Sequence, residues 1–322
     1  MKNKLGTLLV SVGLGLGLAS GSVIAQDRVF FGIATGGTGG TYYPLGGMLA
    51  QVISNNSDLG DKKISATAET GNASVANASL LGRGAIESAF VAADVLDAAY
   101  NGKNQFDGKA IKNLRALGAL YPETVQLVSQ PDITSFADLK GKSVSSGSPG
   151  SGQWQLLGDL LAAYGMERSD VKEDYSSFSQ SAEKLKDGNL NASLITAGSP
   201  TSSIVELSNS HKVNIIPLTG APIEELRKTQ PYYAKAILPA GTYKGIDKDV
   251  ETIAVRAIWA THAELSDDVA YAVTKALYEN TDTLAKVHVK GKEITIQSAL
   301  ESVSIPLHPG AERYYREKGI IK

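Results

Sequence analysis

A recurring junction constrains the fold of this chain more than any other feature: an apolar run ends in a loop of glycine, serine and threonine, and the loop opens a helical pattern. In the first junction, the apolar run 28–34 meets the loop 35–41 before the helical pattern 42–53. In the second, the loop 146–152 precedes the helical pattern 153–164. Strands that alternate with helices in units of about thirty residues favour a mostly parallel α/β sheet flanked by helices.

Further segments extend this alternation over most of the chain. The length of 322 residues suggests two domains. If the strong β run at 249–260 returns to the first sheet, the chain crosses between the domains twice, which the crossover rule permits. We therefore predict a first lobe of residues 26–124 and 250–322 and a second lobe of residues 125–249. The other predicted strands are 62–68, 87–92, 114–127, 142–145 and 192–197, and the other predicted helices include 135–139, 202–207 and 266–280.

The first 25 residues have the pattern of a cleaved secretory signal. Two lysines lie within the first four residues, residues 5–19 are apolar, and Val23 and Ala25 stand at the −3 and −1 positions of a cleavage site. Gly and Ser interrupt the apolar run, which is too short for a stable membrane span. We expect the mature chain to begin at Gln26 and to reside in the periplasm, without a lipid anchor because the sequence contains no cysteine.

Composition excludes several kinds of chemistry. The absence of cysteine rules out disulfides, zinc–thiolate and iron–sulfur centres, and thiol nucleophiles. A formal net charge of −2 without blocks of like charge gives no electrostatic footprint for nucleic acid. We expect neither a metal nor a cofactor, since the four histidines lack metal-ligand spacing. We interpret each of them as a surface or structural residue: they are His211, His262, His288 and His308.

Motifs for nucleotide binding and for serine catalysis each fail at a required position. The sequence GKS at 141–143 resembles the end of a P-loop, but the upstream glycine position holds Phe136. The first loop begins a dinucleotide fingerprint whose third glycine position holds Tyr42. Neither Ser148 nor Ser151 lies in a Gly-x-Ser-x-Gly sequence. The residues therefore do not predict a catalytic site.

The two glycine-rich loops are the strongest candidates for a ligand site. Each stands where a predicted strand ends and a helix begins, the place where open α/β sheets bind ligands. Free backbone N–H groups and the helix dipole favour an anion there, and Thr38, Thr41, Ser148 and Ser151 add hydroxyl donors. Neither loop contains Lys or Arg, which favours a carboxylate over a triphosphate. The alternative is that each loop merely caps its helix.

Several side chains near the loops have two open interpretations. Glu69 and Asp94 lie at loop edges, where helix capping is the simpler role, and Asp94 is placed to cap the helix that follows it. Trp154 either lines a pocket or packs. Of Tyr42 and Tyr43, we expect one to pack and the other to line the pocket.

Seven motifs, in order, resemble those of the TAXI family of TRAP-transporter solute-binding proteins. The resemblance begins with TGGTGGTYYP at 35–44 and ends with IPLHPGA at 305–311 and YYRE at 314–317, so it spans essentially the whole mature chain. Between these lie TGNASVAN at 70–77, DLKGK at 138–142, GSPGSG at 147–152 and AGSP at 197–200.

The resemblance implies a periplasmic binding protein of the type II class, in which two α/β lobes joined by two crossing strands close on a small organic anion. It implies a binding protein rather than an enzyme, and delivery of the ligand to the membrane subunits of an ion-gradient-driven TRAP transporter. Family ligands are carboxylates such as glutamate and 2-oxoglutarate. We expect a monomer whose ligand contacts are Gly37, Thr38, Gly39, Thr41, Tyr42, Asn72, Ser74, Ser148, Ser151, Gly152, Gln153 and Gly198.

One departure from the family pattern concerns the second loop. Where relatives commonly have Thr after Gly-Ser-Gly, this chain has Gln153 followed by Trp154, so the identity of the ligand does not carry over from relatives. Two other functions stay open: a ligand sensor that docks on a receptor kinase, and a two-lobed enzyme that acts on an organic acid. Such an enzyme needs a titratable group in the cleft, facing the bound anion.

Overall fold

The computed structural model describes residues 28–322, and the expected signal sequence lies outside the described residues. The described residues form one mixed sheet of ten strands and ten α-helices, none of which has the length and hydropathy of a membrane span. The strands are β1 Arg28–Ala34, β2 Lys63–Glu69, β3 Ser88–Ala92, β4 Leu114–Ser129, β5 Ser143–Ser145, β6 Lys172–Asp174, β7 Ala192–Ala197, β8 Asn214–Ile216, β9 Ala234–Leu238 and β10 Val250–His262. The helices are α1 Tyr42–Asn56, α2 Ser74–Gly82, α3 Ala93–Asn101, α4 Gln153–Ala163, α5 Phe178–Lys186, α6 Ser202–Ser210, α7 Ala221–Thr229, α8 Asp267–Tyr278, α9 Thr281–Leu284 and α10 Pro309–Glu317.

Two long strands organise the sheet. Its order is β2-β1-β3-β10-β4-β7-β5-β6, with β8 paired to β4 and β9 paired to β10. The first lobe contains the parallel pairs of β1 with β2 and β3, and the second contains the parallel pairs of β5 with β6 and β7. β4 and β10 run antiparallel to each other and to their other neighbours, which makes the sheet as a whole mixed.

β4 and β10 change partners along their length. β4 pairs with β10 from Leu114 to Thr124 and with β7 from Thr124 to Ser129. β10 pairs first with β9 and then, over residues 257–261, with β3. The chain therefore crosses from one lobe to the other within each of these strands, as the sequence analysis expected. The division of the chain after residues 124 and 249 stays a prediction.

Apolar packing covers both faces of the sheet. β3 is buried over its whole length, as expected of a strand with layers on both sides. On one face, α1, α8 and α10 pack around fully buried Trp259, whose ring meets Phe31 edge-on at 6.2 Å between centroids. A second apolar cluster joins α2 and α3 of the first lobe to α4 of the second, and a third lies beneath α5 and α6.

The predicted elements agree with the structure where the hydrophobic pattern is strong. β1 and β7 have the predicted bounds, and α1, α4 and α6 begin at the predicted residue. No element is predicted from the sequence for α5, α7, α9, α10, β6, β8 or β9. These elements are short, and α5, α7 and α10 are rich in polar residues. These three helices have few apolar residues, so no apolar run marks them in the sequence, although the few that they have lie on one face.

Candidate functional site

A cavity of about 190 Å³ lies where the two lobes meet. The first glycine-rich loop and the N-terminal ends of α1, α2 and α3 line it from the first lobe, whereas the second loop and the N-terminal ends of α4 and α5 line it from the second. Glu123 of β4 and Val255 of β10, which pair in register, also belong to the lining. Both lobes and the strands that connect them therefore enclose the cavity.

Helix N-termini supply much of the cavity wall. The residue that precedes each of the five helices lies in the lining. In α1, α2, α3 and α4, no side chain of that preceding residue caps the helix. The first N–H groups of a helix lack partners within the helix and carry partial positive charge. Five such ends around one cavity favour an anionic group in it. The preceding residues are Thr41, Ala73, Ala92, Gly152 and Ser177.

The cavity brings together eleven of the twelve residues expected to contact ligand. Gly198 is the exception: it lies outside the lining, and its carbonyl oxygen accepts a 2.9 Å hydrogen bond from the Thr41 hydroxyl across the lobes. Contact between these residues and a ligand stays a prediction. The eleven in the lining are Gly37, Thr38, Gly39, Thr41, Tyr42, Asn72, Ser74, Ser148, Ser151, Gly152 and Gln153.

Four polar atoms of lining residues are buried without a hydrogen-bond partner in the described part of the chain. They are Ser151 Oγ, Gln153 Oε1, Thr196 Oγ1 and Asp94 Oδ1. Ser151 and Gln153 are only 7% and 6% exposed. Buried polar groups are almost always paired, and the described protein atoms do not supply the partners of these four.

A buried carboxyl group that the sequence analysis did not single out lies in the lining. Glu123 is 3% exposed, and its Oε2 accepts a 2.8 Å hydrogen bond from the Tyr42 hydroxyl. Burial raises the pKa of Glu123 well above its ordinary value of 4.5, the Tyr42 bond opposes the rise, and the Asp94 carboxyl adds to it. The described residues of the lining include no Lys, Arg or His.

Asp94 is the second carboxyl group of the lining, and its predicted role as the cap of α3 is wrong. The cap position is occupied by Ala92, and Asp94 lies in the first helical turn. The reason is that α3 follows β3 directly, so the last strand residue takes the cap position. Asp94 Oδ2 instead accepts a 2.8 Å hydrogen bond from the Tyr233 hydroxyl of the second lobe. Burial raises the pKa of Asp94 above its ordinary value of 3.8, and the Tyr233 bond opposes the rise.

The two lobes contact each other around the cavity through the glycine-rich loops. Ser203 N donates a 3.1 Å hydrogen bond to Gly39 O, and Ala76 N donates a 2.9 Å hydrogen bond to Gly150 O. A Cβ atom on Gly39 would lie 3.2 Å from both Ser179 N and Ser203 Cβ, so the absence of a side chain permits this approach. The structure therefore shows the lobes closed on the cavity.

The aromatic residues near the loops have unequal roles. Tyr42 is buried and also lines the cavity, whereas Tyr43 is 37% exposed and lies outside it. Trp154 is 39% exposed and outside the main cavity, and the Arg168 guanidinium stacks 3.8 Å from the centre of its ring. Trp154 lines a second cavity that shares Ser148 and Ser151 with the first.

The remaining polar residues of the sequence analysis lie away from the main cavity. Glu69 ends β2, and the cap of the following helix is Ala73 rather than Glu69. The histidines each approach an oxygen of another residue: His211 that of Gln130, His262 that of Glu264, His288 that of Pro200 and His308 that of Leu265.

Sequence reasoning missed Glu123 and the segment 177–179, although both carry a readable signal. Glu123 is the only acid in the otherwise mainly apolar strand β4, and a lone acid in a buried strand marks a candidate site. Ser177 opens α5 in a capping box with Gln180, which is a recognisable helix start. Segment 177–179 thus adds a third serine-containing helix start to the cavity.

Two α/β lobes that enclose a cavity and are connected by two crossing strands have the fold of the periplasmic binding proteins. The chain belongs to the NMT1-like family, whose pattern its residues 33–319 match.

Solved structures share this fold at low identity. A protein from Bordetella bronchiseptica RB50 is 15% identical, with a TM-score of 0.57 over 90% of this chain and 98% of that one. The alkanesulfonate-binding protein SsuA from Xanthomonas axonopodis pv. citri, bound to MOPS, is 15% identical, with a TM-score of 0.48 over 90% of this chain and 83% of its own. The ligand-binding component of an ABC-type import system from Staphylococcus aureus is 11% identical, with a TM-score of 0.49 over 92% and 93% of the two chains. At these identities the likeness concerns the fold alone.

Proposed function

We propose that this chain is a periplasmic solute-binding protein that captures a small carboxylate between its lobes. The observation that carries the proposal is that two glycine-rich loops, one from each lobe, meet at a single cavity bordered by five helix N-termini. Such a cavity offers N–H and hydroxyl donors to an oxygen-rich anion from two sides. The unpartnered Ser151 Oγ supports the same conclusion.

Capture and closure are coupled because the ligand bridges the lobes. Each lobe supplies only part of the donor set, so the ligand gains its full contacts in the closed arrangement and stabilises it by differential affinity. The bonds Ser203 N to Gly39 O and Ala76 N to Gly150 O form between the lobes and add to that arrangement. Closure also excludes water, which strengthens the hydrogen bonds around the ligand.

A binding screen tests the capture of a carboxylate. Residues 26–322 are titrated with mono- and dicarboxylates by calorimetry and thermal shift, and a ligand at about 100 times its Kd raises the free energy of unfolding by about 2.7 kcal/mol. Ser151→Ala removes a buried hydroxyl that bonds no protein group, so affinity falls about tenfold while the ligand-free protein stays equally stable. Ser169→Ala, at an exposed position, is the control. A flat response to every carboxylate overturns the proposal.

We propose a TRAP-type membrane carrier as the recipient of the ligand, on the strength of the seven motifs that resemble the TAXI family. The predicted secretory signal supports the periplasmic location that such delivery requires. Loaded protein is added to proteoliposomes that contain candidate carrier subunits, and uptake is expected with an imposed ion gradient and no ATP. Uptake that depends on ATP hydrolysis would instead assign the protein to an ABC-type importer.

A cleft enzyme is the second candidate, because the titratable groups that it requires are present in the cavity. Glu123 and Asp94 belong to the lining, but their hydrogen-bond partners are the hydroxyls of Tyr42 and Tyr233 rather than a base or an activated nucleophile. This pairing favours binding over catalysis. Prolonged incubation with a bound carboxylate, followed by NMR of the recovered ligand, is expected to show no conversion, and turnover would favour the enzyme.

A further inference from the structure

The charge distribution in the cavity is one-sided. Two carboxyl groups, those of Glu123 and Asp94, belong to the lining, and the described lining residues contain no basic side chain. Their side-chain hydrogen-bond partners across residues 28–322 are tyrosine hydroxyls, at 2.8 Å in both cases, and the backbone N–H groups of Asp94 and Val95 also favour the charged form of Asp94. A buried carboxylate is costly unless a positive charge or several hydrogen-bond donors accompany it. The protein leaves that compensation incomplete.

Each carboxyl group has one oxygen that accepts no hydrogen bond from another side chain. Glu123 uses Oε2 for the bond from Tyr42, and Asp94 uses Oδ2 for the bond from Tyr233. Asp94 Oδ1 is buried without a partner. From the second lobe, Gln153 Oε1 is a further buried acceptor without a partner, on a side chain that is 94% buried. The lining thus contains three side chains that each have one acceptor oxygen without a hydrogen bond from another side chain.

A primary ammonium group matches this set of acceptors. It carries one positive charge and three N–H donors, and it has no acceptor of its own. The helix N-termini of the same cavity favour a negative group. A molecule with an amine and a carboxylate therefore satisfies both parts of the lining, whereas a simple dicarboxylate leaves the acids unmatched.

We propose that the ligand is a carboxylate that carries a primary amine, such as an amino acid, and that Glu123 selects for the amine with Asp94 and Gln153 as accompanying acceptors. The inference rests on the proposed function, because the helix N-termini hold the ligand's carboxylate. It adds a basis for specificity. In the corresponding keto acid a carbonyl oxygen replaces the amine and brings no positive charge. It can accept a hydrogen bond from Glu123 only while that carboxyl keeps its proton, so the keto acid binds more weakly.

The protonation of Glu123 gives a second readout. Its pKa is raised by burial and by Asp94, and Tyr42 and Tyr121 are the other titratable groups that face it. An adjacent ammonium favours the charged carboxylate and lowers this pKa. Between the ordinary pKa of 4.5 and the raised one, an amine ligand therefore releases a proton on binding, whereas a keto acid does not. Calorimetry in buffers of different ionisation enthalpy measures that release.

Calorimetric titration of residues 26–322 with matched ligands tests the inference: L-alanine with pyruvate, L-leucine with 4-methyl-2-oxopentanoate, and L-glutamate with 2-oxoglutarate. We expect the amino member of at least one pair to bind the wild-type protein about tenfold or more tightly than its keto partner. In Glu123→Gln, the affinity for that amino acid falls about tenfold, and the affinity for the keto acid changes by less than about threefold. Proton release disappears in the same variant. Glu87→Gln, whose carboxyl bonds Gly32 N outside the cavity, leaves both affinities unchanged.

The opposite results separate the inference from the proposed function. Three results overturn the role of Glu123 while carboxylate binding stands. In the first, the wild-type protein binds amino and keto members equally. In the others, Glu123→Gln lowers the affinity for both members equally or for neither. Failure of every carboxylate to bind overturns the proposed function and this inference together. Circular dichroism checks that Glu123→Gln folds. If it does not fold, Asp94→Asn is used instead, and it is expected to lower the affinity for the amino acid selectively.

Discussion

The Tyr233 hydroxyl of the second lobe donates a 2.8 Å hydrogen bond to Asp94 Oδ2 of the first, while Asp94 Oδ1 is buried without a partner in the cavity lining. One oxygen of this carboxyl group thus forms a contact between the lobes, and the same residue belongs to the lining of the candidate ligand site. A ligand that bonds Oδ1 is held to the same group that holds the lobes together. The proposed ligand contact at Asp94 would therefore link ligand binding and lobe closure at a single side chain.

Tyr233→Phe tests this link. The variant removes the interlobe bond and leaves Asp94 buried without that donor, so we expect ligand affinity to fall about tenfold, as for loss of a hydrogen bond to a charged group. Calorimetry with the ligand found in the screen measures the change. Tyr164→Phe, which removes a 3.1 Å bond to Thr219 O within the second lobe, is the control and leaves affinity unchanged. Equal affinity of wild type and Tyr233→Phe contradicts the link.

Gly39→Ala tests the close approach of the loops. The added methyl group would lie 3.2 Å from Ser179 N and Ser203 Cβ, atoms of the other lobe, so it opposes closure without disturbing either lobe alone. Overpacking of this kind costs about 1–3 kcal/mol, and we expect affinity to fall about 5- to 150-fold at unchanged ligand-free stability.

The measurements for Gly39→Ala are calorimetry and small-angle X-ray scattering with and without ligand. The wild-type radius of gyration is expected to decrease on binding, and that of the variant is expected to change less. Gly47→Ala in α1 is the control, because its methyl group meets no atom within 4 Å. A variant that binds and compacts like the wild type shows that the loop contact does not limit closure.

Asn77→Ala tests the support of the first loop. Asn77 is fully buried, and its amide donates to Thr35 O at 2.9 Å and to Phe90 O at 2.8 Å, which ties the start of the loop to the middle of β3. Removal leaves buried carbonyl groups without donors, so we expect the free energy of unfolding to fall by about 2–3 kcal/mol. Urea denaturation measures it. Asn56→Ala at the exposed end of α1 is the control and is expected to lower the free energy of unfolding by less than about 1 kcal/mol. Equal losses in both variants refute the role of Asn77 as the support of the loop.

The raised pKa of Glu123 predicts a pH dependence of stability. A carboxyl whose pKa is higher in the folded than in the unfolded protein stabilises the fold at pH below 4.5, and this contribution is lost as pH rises through the folded value. Glu123→Gln removes the titration, so without ligand it becomes more stable relative to wild type as pH rises. Paired urea denaturations of the two proteins from pH 4.5 upward measure the difference. A difference that is constant with pH shows that Glu123 does not titrate differently on folding.

Local chemistry made much of this molecule predictable from its sequence. The bounds of β1 and β7 and the starts of α1, α4 and α6 follow from apolar runs and glycine–serine loops, whose effects act within a few residues. The same loops predicted the parts of the site that depend on backbone N–H groups and hydroxyls. Asp94 shows the limit of such local rules. Because α3 follows β3 directly, Ala92 rather than Asp94 occupies the cap position.

The sequence by itself determined the alternation of strands and helices, the two donor loops and the absence of cations within those loops. Tertiary structure decided that these loops meet, because β4 and β10 carry the chain between lobes and bring distant segments to one cavity. It also decided the character of the cavity. In the sequence, Glu123 is one acid in a predicted strand. Folding removes water from it and leaves Tyr42 as its hydrogen-bond partner. Burial of that kind is a property of the packed molecule and not of any short stretch of chain.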